Sequence, residues 1–213
     1  MSEQRLREAV VGFGRSLFER GLTPGSSGNI SVRLDDGWLL TPTNACLGQL
    51  DPARLAKLSW DGRLLSGDAP SKEAFLHRAM YEERGGGAGA IVHLHSTHAV
   101  AVSCLSDVNP DDVLPPITAY YVMKIGRLPL VPYHRPGDPK LGDAIRGLAG
   151  KHSAVLLANH GPVVSAKTLE AAIYASEELE ETARLHLLLL GKNPRLLNDE
   201  QIAELYRVFS LDS

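Results

Sequence analysis

Residues 90–98 constrain the fold and the chemistry of this chain more than any other stretch. They begin with β-branched and apolar residues in the pattern of a buried strand, and they end in three histidines. Side chains alternate between the two faces of a strand, so His93 and His95 are predicted to point the same way. Such a pair is either half of a metal site or two partly buried, hydrogen-bonded imidazoles. On its own, the pair favours the second interpretation.

Length and composition restrict the class of protein. The chain has 213 residues, of which 44% are hydrophobic, so we expect a single domain over residues 1–213. A net charge of −3, with no apolar run long enough to span a bilayer, predicts no nucleic-acid partner and no membrane. Cys46 and Cys104 lie far apart in sequence and suggest no disulfide framework. We therefore expect a cytoplasmic protein.

Helical and strand patterns alternate along the chain. Helices are predicted at about residues 2–20, 70–83, 98–105, 140–149 and 168–190, with Ser71 as the N-cap of the second. Asn198 and Gln201 have the spacing of a capping box and predict the start of a last helix. Strands are predicted near residues 30–34, 38–41, 55–60, 90–95, 128–133 and 154–158. A rigid turn is predicted at 135–139, and Gly161-Pro162 is predicted to break the last strand. The pattern is that of a sheet with helices packed on it, an α/β domain.

A third histidine strengthens the metal interpretation. His160 also follows an apolar strand, and three histidines around an open position are typical of a catalytic zinc site. Glu73, near a predicted helix start, is the best carboxylate candidate, as a fourth ligand or as a proton acceptor. Buried structural histidines remain the alternative. The other histidines are interpreted as structural: His77, His98, His134, His152 and His186.

Three small polar segments form a second candidate site. Backbone N–H groups and hydroxyls in such segments can hold a phosphate, and the charge of Lys72 favours an anion. For any one segment, an ordinary turn is the alternative, and nothing in the sequence brings the three together. The segments are Gly28-Asn29, Thr43-Asn44 and Ser71-Lys72.

The pair Tyr120-Tyr121 is a candidate source of a proton. A tyrosine can deliver a proton to an enolate when its hydroxyl is positioned beside the carbon. The alternative is an aromatic residue of the core or of an interface, and the residues by themselves favour it.

The order of these motifs resembles the class II aldolase and adducin head family. The matching motifs are Gly28-Asn29-Ile30-Ser31-Val32-Arg33, Thr41-Pro42-Thr43, Ser71-Lys72-Glu73, His93-Leu94-His95 and His160-Gly161. They are specific as a set and cover nearly the whole chain. The resemblance implies a single three-layer α/β/α domain with a central, mainly antiparallel sheet. It also implies a homotetramer with active sites at the subunit interfaces.

The resemblance assigns roles to the candidate residues. It implies a Zn²⁺ site formed by Glu73, His93, His95 and His160. It implies catalytic acid/base groups at Glu73 and Tyr120. It implies substrate binding by the phosphate segments, at Gly28, Asn29, Thr43, Asn44, Ser71 and Lys72. Lys72 departs from the fuculose phosphate aldolase pattern, which has a second serine at this position.

Four further stretches resemble the branch of the family that decarboxylates 3-oxo-tetronate 4-phosphates. They are residues 70–73, 95–98, 116–124 and 133–138. The implied activity is a carbon–carbon lyase of sugar-acid catabolism. It converts a small phosphorylated sugar acid into dihydroxyacetone phosphate and carbon dioxide through a metal-stabilised enediolate. The alternative is a zinc-dependent aldolase or epimerase acting on a sugar phosphate such as fuculose 1-phosphate. A non-enzymatic scaffold has no need of the complete histidine set.

Overall fold

Eight strands form one sheet in the computed structural model, which describes residues 1–135 and 137–209. The strands are β1 (Asn29–Leu34), β2 (Gly37–Leu40), β3 (Ala56–Leu58), β4 (Leu64–Ser66), β5 (Ala90–His93), β6 (Leu130–Val131), β7 (Ala154–Leu157) and β8 (Gly161–Ala166). Their order is β4-β3-β2-β1-β5-β8-β7-β6, and only β6 and β7 pair in parallel. Pro136 of the predicted rigid turn and residues 210–213 of the expected domain lie outside the described residues.

Helices cover both faces of the sheet. They are α1 (Glu3–Glu19), α2 (Ala74–Arg84), α3 (Thr97–Ser103), α4 (Ala119–Lys124), α5 (Pro139–Ala149), α6 (Leu169–Leu189) and α7 (Asp199–Phe209). α2 and α5 pack on one face, and the other five pack on the opposite face. The expected three-layer α/β/α fold with a mainly antiparallel sheet is confirmed. Among the described helices, none combines the length and the apolar character needed to cross a membrane.

The central strand β5 shows how the sequence pattern sets the layers. Ile91 packs in the cluster under α2 and α5, whereas Ala90 and Val92 pack against α1 and α6. Because side chains alternate along a strand, His93 shares the face of Ile91 and points toward the layer that contains α2. All four residues of β5 are buried, as expected for a strand covered on both sides.

β7 ends at Leu157, before Gly161-Pro162, as predicted, but the expectation that no further strand precedes α6 is wrong. These two residues begin β8, which lies between β5 and β7 in the middle of the sheet. A Cβ atom at Gly161 would lie 2.3 Å from the carbonyl oxygen of Leu94, so the close approach of the two segments requires glycine. Proline is tolerated near the start of a strand, where few ladder hydrogen bonds are lost.

The prediction that Ser71 caps α2 is also wrong, because the helix begins at Ala74 with Glu73 at the N-cap position. The Ser71 hydroxyl accepts a hydrogen bond from the backbone N–H of Glu73 at 3.2 Å. The Glu73 side chain makes no capping hydrogen bond. Its carboxylate is directed instead toward the start of β1 and the end of β5.

Candidate active site

Four side chains from separate elements meet at one edge of the sheet. His93 ends β5, His95 lies two residues beyond it, His160 lies in the turn between β7 and β8, and Glu73 immediately precedes α2. Each offers one ligand atom, and these atoms all lie within 4.8 Å of one another. The antiparallel pairing of β5 with β8 explains the proximity, since the end of one strand is beside the start of the other. This is a donor set that can hold a metal ion.

The three imidazoles stand edge to face around a common point. Their ring centroids are 4.7–5.0 Å apart, and the ring planes cross at 71–83°. The Nε2 atoms of His93 and His95 are separated by 3.1 Å. The two carboxylate oxygens of Glu73 lie 3.2 Å from His160 Nε2 and 3.5 Å from His93 Nε2. The nitrogen and oxygen atoms thus face one another at distances suited to binding one metal ion.

The protonation of the histidines suits metal binding. His93 Nδ1 donates its proton to the carbonyl oxygen of Pro162 at 2.8 Å, so the neutral ring presents the Nε2 lone pair to the site. Burial lowers the pKa of His93. Burial, together with the charges of His93 and His160, lowers the pKa of His95 to about 4. Neutral imidazole is the form that binds a metal.

Glu73 is ionised in this setting. Burial by itself raises the pKa of its carboxyl group, but His93, His160 and Asn29 outweigh burial and hold the pKa well below its usual range. Asn29 contributes by donating a hydrogen bond from Nδ2 to Glu73 Oε2 at 2.7 Å. The carboxylate is therefore available as a ligand or as a proton acceptor.

Backbone pairing brings the three polar segments to the same edge. The Ser71 N–H donates to Thr41 O at 3.2 Å, and the Thr43 N–H donates to Ala69 O at 2.9 Å. Asn29 pairs with His93 across β1 and β5. Backbone pairing therefore explains why the three polar segments lie together, which the sequence alone does not indicate.

Gly28 lies close to the candidate metal ligands. Its φ of +76° belongs to the left-handed region that favours glycine. A Cβ atom there would lie 3.0 Å from the carbonyl oxygen of His93. Within the other segments, Ser71 is buried, Thr43 is half-buried, and Asn44 and Lys72 are exposed.

The structure does not bring Tyr120 to these residues. Tyr120 is 65% exposed on α4, which packs against α6 and α7, while Tyr121 is buried in the core. Within the described chain, Tyr120 makes no hydrogen bond or ring contact with any of the four ligand side chains.

Sequence reasoning missed one histidine beside the site. His77, interpreted as structural, is buried and hydrogen-bonds to Asn29, which in turn holds Glu73. The spacing of four residues between Glu73 and His77 was the available signal, since such residues lie on one side of a helix. The spacing does not identify Asn29 as the group between them.

Comparison with known proteins places the chain in a family. Residues 8–187 match the family described as Class II Aldolase and Adducin N-terminal domain. The chain belongs to this family. The resemblance inferred from the sequence motifs is therefore confirmed. Family membership agrees with the fold and with the His/Glu cluster at the end of β5.

Several members of the class II aldolase and adducin family are close in sequence. A curated relative from Cupriavidus necator, named 3-oxo-tetronate 4-phosphate decarboxylase, is 54% identical over 88% of this chain and 86% of its own. Four further relatives with that name are 48–51% identical. The crystal structure of YgbL from Klebsiella pneumoniae matches with a TM-score of 0.94 at 48% identity, covering 96% of this chain and 99% of its own.

The aldolase branch is more distant. L-fuculose phosphate aldolase from Escherichia coli is 30% identical over 98% of this chain and 96% of its own. A solved L-fuculose 1-phosphate aldolase shares the fold with a TM-score of 0.89, so the candidate metal ligands alone do not separate the two activities.

Proposed function

We propose that this chain is a zinc-dependent 3-oxo-tetronate 4-phosphate decarboxylase. The observation that carries the proposal is the decarboxylase name shared by five relatives at 48–54% identity. The fuculose phosphate aldolase at 30% identity lies much further away. The convergent donors of Glu73, His93, His95 and His160 support a metal-dependent reaction.

The donor set fits zinc. Donors at 2.0–2.1 Å from a tetrahedral zinc ion lie about 3.4 Å from one another. The separations of 3.1, 3.2 and 3.5 Å between facing donor atoms are close to that value. Three imidazoles and a carboxylate are also typical zinc ligands. The hydrogen bond from His93 Nδ1 to Pro162 O fixes the orientation and the tautomer of that ring, as is usual for a histidine that binds a metal. We assign the four ligands on these grounds.

The reaction removes a carboxylate from a β-keto acid. The C1–C2 bond breaks, its electron pair moves into the C3 carbonyl, and carbon dioxide leaves. A proton added to C2 then gives dihydroxyacetone phosphate. A bound zinc ion supplies Lewis-acid stabilisation of the negative charge that develops on oxygen.

Glu73 and Tyr120 are the proposed acid/base groups. Because its pKa lies below the usual range, Glu73 starts ionised and must first take a proton, for example from the C2 hydroxyl, before it can deliver one to C2. The C2 oxygen then regains its proton from water, so the net reaction takes one proton from the solvent. Tyr120 brings its own proton. Asn29 holds Oε2 of Glu73, which leaves Oε1 as the oxygen better able to exchange a proton.

The polar segments are proposed to bind the phosphate. Asn29 begins β1 beside His93, and Gly28 immediately precedes it. Backbone hydrogen bonds join the segment of Thr43 and Asn44 to the segment of Ser71. The exposed ammonium group of Lys72 supplies positive charge for the phosphate or for the departing carboxylate.

Tyr120 is proposed to serve the site of a neighbouring copy in a homotetramer, with the active sites at subunit interfaces. The 65% exposure of Tyr120, and its position on a helix that contributes none of the four proposed ligands, support a role across an interface. The free thiols of Cys46 and Cys104 support a cytoplasmic setting.

One assay tests the decarboxylase against the aldolase alternative. The zinc-loaded protein is offered both C2 epimers of 3-oxo-tetronate 4-phosphate and, separately, a panel of ketose 1-phosphates that includes fuculose 1-phosphate. Carbon dioxide and aldehyde release are measured in each case. We expect carbon dioxide and dihydroxyacetone phosphate from one sugar acid, with little aldehyde from the panel. Aldehyde release without any carbon dioxide would establish the aldolase instead.

A further inference from the structure

A buried row of hydrogen-bonded side chains leads to Glu73 from beneath the site. Tyr81 Oη lies 2.8 Å from Ser31 Oγ, and Ser31 Oγ lies 2.7 Å from His77 Nδ1. His77 Nε2 contacts Asn29 Oδ1, and Asn29 Nδ2 lies 2.7 Å from Glu73 Oε2. We call Tyr81, Ser31, His77 and Asn29 the buried row.

The packing of β1 against α2 builds this row. Asn29 and Ser31 alternate with Ile30 along β1, so both face α2. His77 and Tyr81 are one helical turn apart on α2 and face the strand. The sheet and the helix thus contribute two members each.

The protons of the row have one consistent arrangement. A carboxylate only accepts, so Asn29 must turn its NH₂ group toward Glu73 and its carbonyl toward His77. The carbonyl then requires a proton on His77 Nε2. A neutral ring has no second proton, so Nδ1 accepts from the Ser31 hydroxyl, which in turn accepts from Tyr81. Every donor in the row points toward Glu73.

The surroundings bury the row away from solvent and keep its side chains uncharged. His77 and Ser31 are fully buried, and the His77 ring stacks on Trp38 with centroids 6.3 Å apart and an interplanar angle of 18°. Burial lowers the pKa of His77 to about 3, so the ring carries a single proton at neutral pH. Burial likewise raises the pKa of Tyr81, which keeps its hydroxyl proton.

We infer that His77 is a positioning residue of the active site, which sets the orientation of the Asn29 amide and, through it, of the Glu73 carboxylate. The inference rests on the proposed metal site. Rotation of the amide by half a turn would place two acceptors together at Glu73 and two donors together at His77. The Glu73 carboxylate and the proton on His77 Nε2 thus favour the same orientation of the amide, which holds Asn29 at both ends.

The consequence concerns the two oxygens of Glu73. The row fixes Oε2 by a hydrogen bond, while Oε1 faces His160 Nε2. A carboxylate held at one oxygen can present the other to a metal or to a proton in a defined direction. Without His77, the amide and the carboxylate would each have more than one arrangement, and metal affinity and the proton step would both suffer.

Three variants and one matched control test this role. His77→Leu removes the donor to Asn29, and His77→Gln restores an amide N–H near the position of Nε2. Ser31→Ala removes the hydroxyl that donates to His77 Nδ1 and so favours the His77 tautomer with its proton on Nε2. Ser165→Ala is the control, since Ser165 is also a buried strand hydroxyl, bonded to Ser153 O at 2.9 Å on β8 and unconnected to the row.

Zinc affinity, measured by chelator competition, is the first measurement, and kcat and KM with the proposed substrate are the second. We expect His77→Leu to weaken zinc binding by about 10- to 100-fold and to lower kcat more than it changes KM. We expect His77→Gln to recover most of the loss, Ser31→Ala to lose less than His77→Leu, and Ser165→Ala to match the wild type. Wild-type zinc affinity in a folded His77→Leu variant overturns the inference.

A spectroscopic measurement decides the case in which His77→Leu does not fold. Two-bond ¹H–¹⁵N correlations of the wild-type protein report which nitrogen of His77 carries the proton. The Nε2–H form supports the row, and the Nδ1–H form overturns it. This measurement needs neither metal nor turnover. A wild-type protein that shows the Nε2–H form and binds no zinc therefore refutes the proposed function but not the amide orientation.

Discussion

Glu73 and Glu180 each lie next to histidine side chains, but the surroundings of the two carboxylates differ. At the candidate active site, Glu73 faces His93 and His160. On the opposite side of the sheet, Glu180 of α6 reaches the start of α3. Its Oε1 accepts from His98 Nδ1 at 2.7 Å and from the His98 N–H at 2.9 Å, and its Oε2 accepts from the Ala99 N–H at 2.9 Å.

The difference lies in what surrounds each carboxylate. The oxygens of Glu180 are occupied by N–H donors, including two from the first turn of a helix, where a negative charge is stabilising. Glu73 has one such donor, Asn29, and otherwise faces imidazole nitrogens. A histidine beside a glutamate is therefore weak evidence of a metal site. Several lone pairs directed at one point are strong evidence.

The largest expected effect separates the histidines of the two regions. His95→Ala removes one of the four proposed zinc ligands, so we expect the bound zinc and nearly all turnover to be lost, a decrease of roughly a thousandfold or more. His98→Ala is the matched control and should retain zinc. Metal content by elemental analysis and turnover by carbon dioxide release measure both. Equal zinc content in the two variants would erase the distinction between the regions.

A smaller effect is expected from removing the second glutamate. Glu180→Ala leaves buried N–H groups of α3 without an acceptor, which should lower the free energy of unfolding by about 1–3 kcal/mol. Urea denaturation measures the change. Zinc content should remain that of the wild type, because Glu180 contacts none of the four ligands. Loss of zinc in a folded variant would contradict the structural role assigned to Glu180.

The smallest expected effect is on how the free energy of unfolding depends on pH, through His77 beside the Glu73 region. His77 has a pKa of about 3 in the folded protein and an ordinary value of 6.5 when unfolded. The unfolded chain therefore binds a proton below pH 6.5 that the folded protein does not. The contribution of His77 to the free energy of unfolding is fully present above pH 6.5 and decreases as the pH falls toward 3. The decrease is at most about 1.4 kcal/mol per pH unit.

The metal-free His77→Gln variant should lack this contribution. Denaturation of the metal-free protein at pH 7.0 and pH 5.5 compares the slopes, with Ser165→Ala as the control that keeps the wild-type slope. A His77→Gln slope equal to that of the wild type would show that His77 is not held neutral in the folded protein.

Local patterns predicted the elements that carry the ligands. The alternation of β5 and the apolar run of β7 placed His93 and His160 at strand ends, and the capping box of Asn198 and Gln201 marks the start of α7. Each of these features depends on residues close in sequence. For the same reason, their boundaries could be predicted within a few residues.

Features that depend on distant residues were not predictable. The strand β8 was not predicted, because nothing local indicates that Gly161 must pass close to Leu94. The role of His77 depends on Asn29 and Ser31, which reach it only because β1 lies beside β5 and beneath α2. The convergence of the phosphate segments has the same origin, since backbone pairing between residues 41–43 and 69–71 joins them.

The central claim is that one zinc ion bound by Glu73, His93, His95 and His160 is required for decarboxylation. The most direct measurement is a titration of zinc into chelator-treated protein, with carbon dioxide release from 3-oxo-tetronate 4-phosphate followed at each addition. We predict no turnover without metal, and a linear rise that ends at one zinc ion per chain. Full turnover in protein shown by elemental analysis to be free of metal would contradict the claim.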